Sequence, residues 1–302
     1  MRPRDFAGLT LLGALWGGAF LFIRVAVPAL GPFLLVELRV GLAAAVLVLY
    51  TLAVGRVPKI RSRWRSFLVL GFFNSAVPFS LISAAEIHLT ASLAAILNST
   101  TVMFTAMVAA VWMGDALTVR KVFGIVLGIF GVTVLVGWDP LPLNGAVLLA
   151  VAAMLVASLS YALGATYAKH SFSGIPPVGM AIGQLTAATA LLLPLSVVSV
   201  PDRAPSLAVA LCVLALALLS TVMAYMIYFR LIQNVGPTST TTVTLLVPVF
   251  GLLFGVLLLD EPFGLGTLAG LVIILSSVVL ITGISPKSGQ HSAVSKNDEA
   301  EG

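Results

Sequence analysis

Residues 207–230 read LAVALCVLALALLSTVMAYMIYFR, and no Asp, Glu, Lys or Arg occurs before the final Arg230. A helix needs about 20 mostly apolar residues to cross a bilayer core that is about 30 Å thick. The stretch is long enough and apolar enough for that crossing. It therefore predicts a transmembrane helix.

The composition of the whole chain agrees with this interpretation. Of its 302 residues, 60% are hydrophobic and 9% are charged, and the mean hydropathy is +1.13. Soluble globular domains carry about 25% charged residues. So few charges cannot cover a water-facing surface, which excludes a soluble enzyme, a soluble nucleic-acid-binding protein and a disordered scaffold. We expect an all-α polytopic membrane protein.

Apolar runs of similar length recur along the chain, separated by brief polar, Pro and Gly breaks. Ten transmembrane helices are predicted, at residues 6–27, 33–54, 67–87, 91–113, 122–138, 144–168, 177–198, 207–230, 238–259 and 264–284. The polar composition of residues 285–302 predicts a disordered tail.

The distribution of basic residues predicts the orientation, because cytoplasmic loops of membrane proteins carry an excess of Lys and Arg. With a cytoplasmic N-terminus, the basic residues on the inside are Arg2, Arg4, the cluster in residues 56–65, Arg120, Lys121, Lys169, Arg230, Lys287 and Lys296. The outer connections carry mainly the acids Glu86, Asp139, Asp202, Asp260 and Glu261. Both termini, and the tail, are therefore predicted in the cytoplasm of a multi-pass cell-membrane protein.

The net charge of +5 fits this topology signal, and the chain has no basic face for nucleic acid. Cys212 is the single cysteine, which excludes a disulfide framework within the chain and a thiolate metal site. No metal and no other cofactor is expected. The partners expected are the lipid bilayer and a small-molecule substrate, and both a monomer and a homodimer remain open.

The two halves of the chain resemble each other at a nearly constant offset. A shift of 146 or 145 positions superimposes Asp115 on Glu261, Phe104 on Phe250, Gly124 on Gly270, Val132 on Val278, Gly137 on Gly283, Trp16 on Tyr161 and Arg24 on Lys169. This offset predicts two five-helix repeats, residues 6–138 and 144–284. Because five is odd, the second repeat has inverted topology, an architecture that recurs in secondary transporters.

The residues that carry this pattern also resemble a known family. They are Leu15-Trp16-Gly17-Gly18 followed by Arg24, then Arg39, and the block Pro248, Asp260-Glu261-Pro262 and Gly270. Together they resemble the drug/metabolite transporter superfamily, specifically its EamA-type ten-helix members, over about residues 7–284. Asp115 stands where the family pattern usually has Glu. The resemblance implies export or exchange of small metabolites, often amino acids or drugs, across the bacterial inner membrane.

Candidate substrate-binding residues are the ionisable, polar and aromatic side chains within the predicted spans. Ionisable groups there are costly and often functional, and substrate sites of such transporters lie near the midplane. The candidates are Trp16, Arg39, Asn74, Asn98, Thr101, Tyr161, Gln184, Tyr225 and Thr244. Arg39 would attract a substrate carboxylate, and the aromatic rings would line a site for an amphipathic substrate. Interhelical hydrogen bonding, helix packing and snorkelling are the alternative interpretations.

A second group is predicted to serve gating or structure: Arg24, Glu37, Asp115, Pro248 and Glu261. Glu37 and Arg39 point in different directions on one helix, so we expect Glu37 to form an ion pair with Arg24 instead. Pro248 cannot donate a backbone hydrogen bond and would free the carbonyl of Thr244. Four Gly-xxx-Gly pairs are predicted to permit close helix contacts: Gly13 and Gly17, Gly124 and Gly128, Gly251 and Gly255, and Gly266 and Gly270.

The sequence thus predicts a carrier of small organic metabolites that works by alternating access, with amino acids or related amphipathic compounds as substrates. The alternatives are a nucleotide-sugar or drug carrier of the same superfamily and a membrane-embedded enzyme. No catalytic constellation favours the enzyme. Glu37, Glu86 and His88 are the acid–base candidates for proton coupling, and all lie towards the outside. Glu86 and His88 are interpreted as loop-end residues, and no acidic residue is predicted at the midplane. The sequence therefore favours facilitated diffusion or exchange over proton antiport.

Overall fold

A computed structural model of the chain describes residues 2–55, 63–138, 144–172 and 174–283, with the backbone alone at 237 and 238. The basic residues within 56–62, Asp139 and the tail 285–302 lie outside the described residues. Within the described ranges all regular structure is helical, as the composition predicts.

Twelve α-helices are described, and two of the chain's long apolar helices also contain a π-helical segment. The α-helices are α1 (Pro3–Ala53), α2 (Trp64–Gly71), α3 (Val77–Ala85), α4 (Ala91–Asn98), α5 (Thr101–Met113), α6 (Val119–Gly137), α7 (Gly145–Ser171), α8 (Pro177–Val197), α9 (Leu207–Leu214), α10 (Ala224–Thr240), α11 (Val243–Leu259) and α12 (Leu265–Thr282). The π-helical segments are Phe72–Ala76, between α2 and α3, and Ala215–Met223, between α9 and α10.

Eight helices in the described ranges are long and apolar enough to cross a membrane. The sequence predicts ten spans, and the difference between ten and eight has two sources. The residues predicted as the first two spans form the single 51-residue helix α1. The residues predicted as the ninth span form α11, an apolar helix of 17 residues that is shorter than the other eight.

Helix α1 is interrupted at Gly31, whose φ of 67° and ψ of 166° are not helical. A positive φ is readily adopted by glycine, which has no Cβ. The first half of α1 packs in one apolar cluster, which also includes Leu35, and from Val36 onwards the buried apolar residues of α1 pack in another. Ile23 in the first half packs in one cluster with Ala95 of α4 and Val247 of α11. Val40 in the second half packs in another with Ile182 of α8.

Glycines permit close contact between helices at the centre of the first cluster. A Cβ added to Gly17 of α1 would lie 2.8 Å from the backbone nitrogen of Gly251 in α11. One added to Gly251 would lie 2.3 Å from the Cβ of Ala95 in α4. Larger side chains would force α1, α4 and α11 apart. The prediction that the Gly-xxx-Gly pairs serve close helix contact is confirmed at these positions.

The turn that follows α5 is repeated after α11. Gly114 and Asp260 end these helices with positive φ values of 71° and 51°. The next residue in each turn donates its backbone N–H six residues back, Asp115 to Ala109 at 3.3 Å and Glu261 to Gly255 at 3.1 Å. The offset of 146 residues that is seen in the sequence thus recurs in the backbone of these two turns.

Candidate functional site

The two π-helical segments bring polar groups into the interior of long apolar helices. A π-helical turn shifts the backbone hydrogen-bond pattern, and such turns are frequent at functional sites. In the first segment the carbonyl of Phe73 accepts a hydrogen bond from the Ser160 hydroxyl at 2.7 Å. In the second, the carbonyl of Leu216 accepts one from the Thr221 hydroxyl at 2.8 Å. Side chains therefore satisfy carbonyls that regular α-helical bonding would otherwise occupy.

Arg39, in the second half of α1, contacts the second of these segments and is 7% exposed. Its Nε donates to Thr221 Oγ1 at 3.1 Å, and its guanidinium carbon lies 4.0 Å from the centroid of the Phe79 ring. The bond to Thr221 is the one hydrogen bond of this guanidinium to the part of the chain that the structure describes. A guanidinium has five N–H donors. Arg39 is thus a buried cation with donors left for an anionic partner.

A chain of hydrogen bonds runs beside Arg39. Asn74 Nδ2, in the first π-helical segment, donates to Gln184 Oε1 at 2.8 Å, and Gln184 Nε2 donates to the Tyr225 hydroxyl at 2.9 Å. Gln184 of α8 is buried. The three side chains link α8 to the two helices that contain the π-helical segments.

Tyr161 of α7 completes this group. Its ring meets Phe79 edge-on, with the ring centroids 6.2 Å apart. The hydroxyls of Tyr161 and Tyr225 are both close enough to interact electrostatically with the Arg39 guanidinium. We call Arg39, Asn74, Phe79, Tyr161, Gln184, Thr221 and Tyr225 the Arg39 cluster. It gathers one cation, two amides, three hydroxyls and an aromatic face inside the helical bundle.

Aromatic rings connect this cluster to Trp16 of α1. Trp16 lies 5.5 Å from Tyr228, Tyr228 lies 5.7 Å from Phe229, and Phe229 stacks on Tyr225 at 5.8 Å between ring centroids. An apolar surface therefore continues from the polar groups of the Arg39 cluster towards the first half of α1.

Three other candidates make no hydrogen bond with the Arg39 cluster in the described ranges. Asn98 and Thr101 flank the break between α4 and α5, and the buried Asn98 Oδ1 and Thr101 Oγ1 have no hydrogen-bond partner in the described ranges. Thr244 Oγ1 donates to the carbonyl of Thr241, in the turn before α11, at 2.8 Å. No hydrogen bond to the Arg39 cluster is described for any of the three.

Charged residues meet at the turn between α3 and α4. Arg24 Nη1 donates to the backbone carbonyls of Glu86 and Ile87, at the C-terminal end of α3. The Glu261 carboxylate accepts hydrogen bonds from the backbone N–H groups of Ala91 and Ser92, at the N-terminal end of α4. Each charge suits the helix end that it contacts, because the helix dipole is negative at the C-terminus and positive at the N-terminus. We call Arg24, Glu86, Ser92 and Glu261 the turn cluster.

The predicted ion pair between Arg24 and Glu37 is wrong. Arg24 contacts the turn after α3, whereas Glu37 has a buried Oε2 with no hydrogen-bond partner in the described residues. The cause is the interruption of α1 at Gly31, after which the helix packs along α8. A Cβ on Gly41, one turn beyond Glu37, would lie 3.7 Å from Glu37 Oε1 and 3.8 Å from Thr189 of α8.

The remaining gating and structural candidates differ in environment. Glu261 is buried, whereas Asp115, at the matching position in the other turn, is exposed. Pro248 is buried within α11. Within the described ranges no three His, Cys, Asp or Glu residues gather as a metal site would require.

Thr221 was not among the sequence candidates, and the burial of Glu86 was not predicted. Ser220 and Thr221 are the only hydroxyl residues between 207 and 224, which could have singled out Thr221. Glu86 lies at the end of α3, as the loop-end interpretation predicts, but its side chain is fully buried. His88, two residues later, is exposed as expected.

Comparison with known proteins adds independent information. The model of the EamA-like transporter family matches residues 7–137 and again residues 148–283. The inner membrane transporter YedA of Escherichia coli is 28% identical over 92% of this chain and 90% of its own length. The transporter YvbV of Bacillus subtilis is 25% identical over 99% of this chain and 98% of its own.

A solved protein structure aligns over 100% of both chains, with a TM-score of 0.67 and 18% sequence identity. At this identity the likeness shows a shared fold alone.

Proposed function

Because the chain belongs to the EamA-like transporter family, we propose that this multi-pass membrane protein exports or exchanges amino acids or related amphipathic metabolites by alternating access. The proposed binding site is the Arg39 cluster. The observation that carries the proposal is Arg39 itself, a buried cation whose guanidinium makes one hydrogen bond in the described part of the chain.

A carboxylate is the substrate group that fits Arg39. Burying a charge without a partner is costly, and the low dielectric of the interior strengthens attraction to an opposite charge. A guanidinium can bind the two oxygens of a carboxylate through parallel N–H groups. The contacts with Thr221 and Phe79 fix the orientation of the guanidinium before substrate arrives.

The neighbours of Arg39 favour a small amphipathic substrate over a nucleotide sugar. Tyr161, Tyr225 and Glu86 interact with Arg39 electrostatically, and none of them supplies a second cation for a diphosphate. Asn74 and Gln184 offer hydrogen bonds for polar substrate groups. The aromatic row that begins at Trp16 offers an apolar surface for a side chain.

We propose ten crossings, arranged as two inverted five-helix repeats over residues 6–138 and 144–284. The interruption of α1 at Gly31 supports two crossings within residues 3–53, and the apolar α11 supports a further one. The double match to the family model and the repeated turns after α5 and α11 support the duplication. The positive-inside rule supports cytoplasmic termini and a cytoplasmic tail, which would put the turn cluster on the outer side.

Under this topology the contacts of the turn cluster close the outer side. Arg24 and Glu261 come from α1 and from the turn after α11, and both bind the turn between α3 and α4. The repeat-related residues are Lys169, 145 positions after Arg24, and Asp115, 146 positions before Glu261. Both are exposed. This asymmetry supports an outward-closed conformation. Alternating access would release the outer contacts and form corresponding ones on the cytoplasmic side.

Counterflow in proteoliposomes tests the proposal. Vesicles are loaded with one unlabelled amino acid at a time, and uptake of the labelled form is followed against protein-free vesicles. We expect transient accumulation for at least one amino acid and none for its decarboxylated amine. Protein that is folded and reconstituted but gives no counterflow with any amino acid contradicts the substrate proposal. Counterflow with a drug or a nucleotide sugar would instead support the alternative carriers.

A further inference from the structure

Glu86 has an unusual environment for a carboxyl group. Its side chain is 0% exposed, and neither Oε1 nor Oε2 has a hydrogen-bond partner in the described part of the chain. Its own backbone carbonyl is bound by Arg24, so the Arg24 guanidinium satisfies the end of α3 and makes no hydrogen bond to the carboxyl group. The mechanism proposed above assigns no role to this side chain.

Three charged residues from the elements packed around this turn act on the Glu86 carboxyl. Glu261, from the turn after α11, would repel a negative charge there, whereas Arg24 and Arg39 of α1 would attract one. Glu261 is held beside Glu86 by its hydrogen bonds to Ala91 and Ser92. The contacts that close the turn thus bring two carboxyl groups close together.

Ionisation of the Glu86 side chain would be energetically unfavourable in this conformation. A carboxylate removed from water needs hydrogen bonds or a directly paired cation, and groups without either take up a proton instead. Burial and the neighbouring Glu261 raise the pKa of Glu86 well above its ordinary value, more than Arg24 and Arg39 lower it. The neutral carboxylic acid is the form that this closed turn accommodates.

We infer that Glu86 is a proton-binding site, and that closure of the turn cluster is coupled to protonation of Glu86. When the turn opens, the O–H bond of Glu86 breaks, its proton passes to water on the outer side, and a solvated carboxylate remains. Closure reverses the step by taking one proton from water. The inference rests on the proposed alternating access, and it adds a dependence on external pH.

The direction of that dependence follows from linkage. The group has its raised pKa in the closed state, so protonation stabilises closure most strongly at low pH. This stabilisation is lost as the external pH rises towards the pKa of the closed state. Low external pH therefore favours the closed conformation, and higher pH favours opening.

Infrared spectroscopy tests the protonation state directly. At neutral pH, the spectrum of the wild type minus that of Glu86→Gln should contain the C=O stretch of a protonated carboxylic acid. Asp115→Asn is the matched control, because it removes the exposed carboxyl group at the repeat-related position of the other turn. The wild type minus Asp115→Asn spectrum should lack that band. A Glu86-dependent carboxylate band with no carboxylic acid band would overturn the inference.

Thiol accessibility tests the coupling. The buried hydroxyl of Ser83, three residues before Glu86, has no hydrogen-bond partner in the described ranges. Ser83→Cys is thus a nearly isosteric reporter in a Cys212→Ala background. Labelling by an impermeant maleimide is measured between about pH 5 and about pH 8. The labelling rate of Ser83→Cys is divided by the labelling rate of Val200→Cys, an exposed position. This ratio removes the pH dependence of the reaction between thiol and maleimide.

We expect the normalised labelling rate to rise with pH, by at most about tenfold per unit for one coupled proton. Glu86→Gln should label slowly at every pH, because its amide carries no charge. An unchanged pH dependence in Glu86→Gln would overturn the coupling. If amino-acid counterflow succeeds but this dependence is independent of Glu86, the proton inference alone fails. If counterflow fails but the dependence on Glu86 holds, the substrate proposal alone fails.

Discussion

The Glu261 carboxylate binds the N-terminus of the helix that begins at Ala91. Glu261 Oε1 accepts the Ala91 N–H at 2.6 Å, and Oε2 accepts the Ser92 N–H at 3.0 Å together with the Ser92 hydroxyl. These contacts join residues about 170 positions apart in the sequence. The turn after α11 therefore holds the start of α4 through a charge placed at the positive end of a helix dipole.

Replacing Glu261 by Gln should destabilise the protein. The amide keeps the size of the side chain but loses the charge and one acceptor, so at least one buried N–H or O–H group loses its partner. The expected decrease in the free energy of unfolding is about 1–3 kcal/mol. Thermal unfolding in detergent would measure this as a lowered Tm. Asp115→Asn, at the exposed counterpart, should change the stability by less than about 0.5 kcal/mol. Equal effects of the two variants would contradict the role assigned to Glu261.

Gly164→Ala should disturb the Arg39 cluster through packing alone. A Cβ there would lie 2.9 Å from the Cβ of Asn74 and 3.2 Å from its backbone nitrogen, so the π-helical segment would have to shift. We expect a lower transport rate, because this shift would move Asn74 away from its hydrogen-bond partner Gln184. Gly41→Ala is the control, since its Cβ would make only ordinary contacts at 3.7 Å and beyond. Counterflow rates at matched protein content compare the two, and equal rates would argue against a fixed position for Asn74.

Removing the Tyr225 hydroxyl should weaken substrate binding. Tyr225→Phe leaves Gln184 Nε2 without the acceptor that it contacts at 2.9 Å. An unpaired buried donor costs about 1–3 kcal/mol, and the amide is then free to rotate away from Asn74. We expect the KM for counterflow to rise about threefold or more. Tyr228→Phe, which keeps the ring packed on Trp16, should leave KM nearly unchanged. If Tyr228→Phe raised KM more than Tyr225→Phe, the substrate would be bound nearer to Tyr228 than the proposal places it.

Thr221→Val should release the Arg39 guanidinium. The change keeps the shape of the side chain but removes the hydroxyl that accepts the Nε proton at 3.1 Å. Hydrogen bonds to charged groups contribute about 1.5–3 kcal/mol, which corresponds to a rise in KM of about tenfold or more. Ser220→Ala is the neighbouring control, because the Ser220 hydroxyl has no hydrogen-bond partner in the described residues. If both variants transport like the wild type, Thr221 does not orient Arg39.

The sequence predicted which apolar segment carries each candidate, but not which way each helix faces. Arg39, Asn74, Tyr161, Gln184 and Tyr225 were all candidates, and the structure brings them together. Asn98, Thr101 and Thr244 were chosen by the same criterion of depth, and no hydrogen bond joins them to these residues in the described ranges. The predicted depth of a residue in the membrane follows from counting residues along the helix at about 1.5 Å each. The rotation of a helix about its own axis depends on how it packs against other helices.

Two features of the interior could not be derived from residue periodicity. The π-helical segments at Phe72–Ala76 and Ala215–Met223 change the direction of side chains, and nothing in the apolar pattern distinguishes them from α-helix. Thr221 lies in the second of these segments. The environment of Glu86 depends on Arg24 and Glu261, which are distant in sequence. A pattern that predicts a turn does not predict what covers that turn.

The dependence of transport on Arg39 and on the substrate carboxylate tests the central claim most directly. Counterflow of an amino acid identified as a substrate is compared with that of its carboxamide, in the wild type, in Arg39→Lys and in Arg39→Gln. The wild type should transport the acid and not the amide. Arg39→Gln should lose transport of the acid, and Arg39→Lys should keep a small part of it, because an ammonium keeps the charge without the paired donors. Folded Arg39→Gln protein that transports the acid at the wild-type rate would contradict the account.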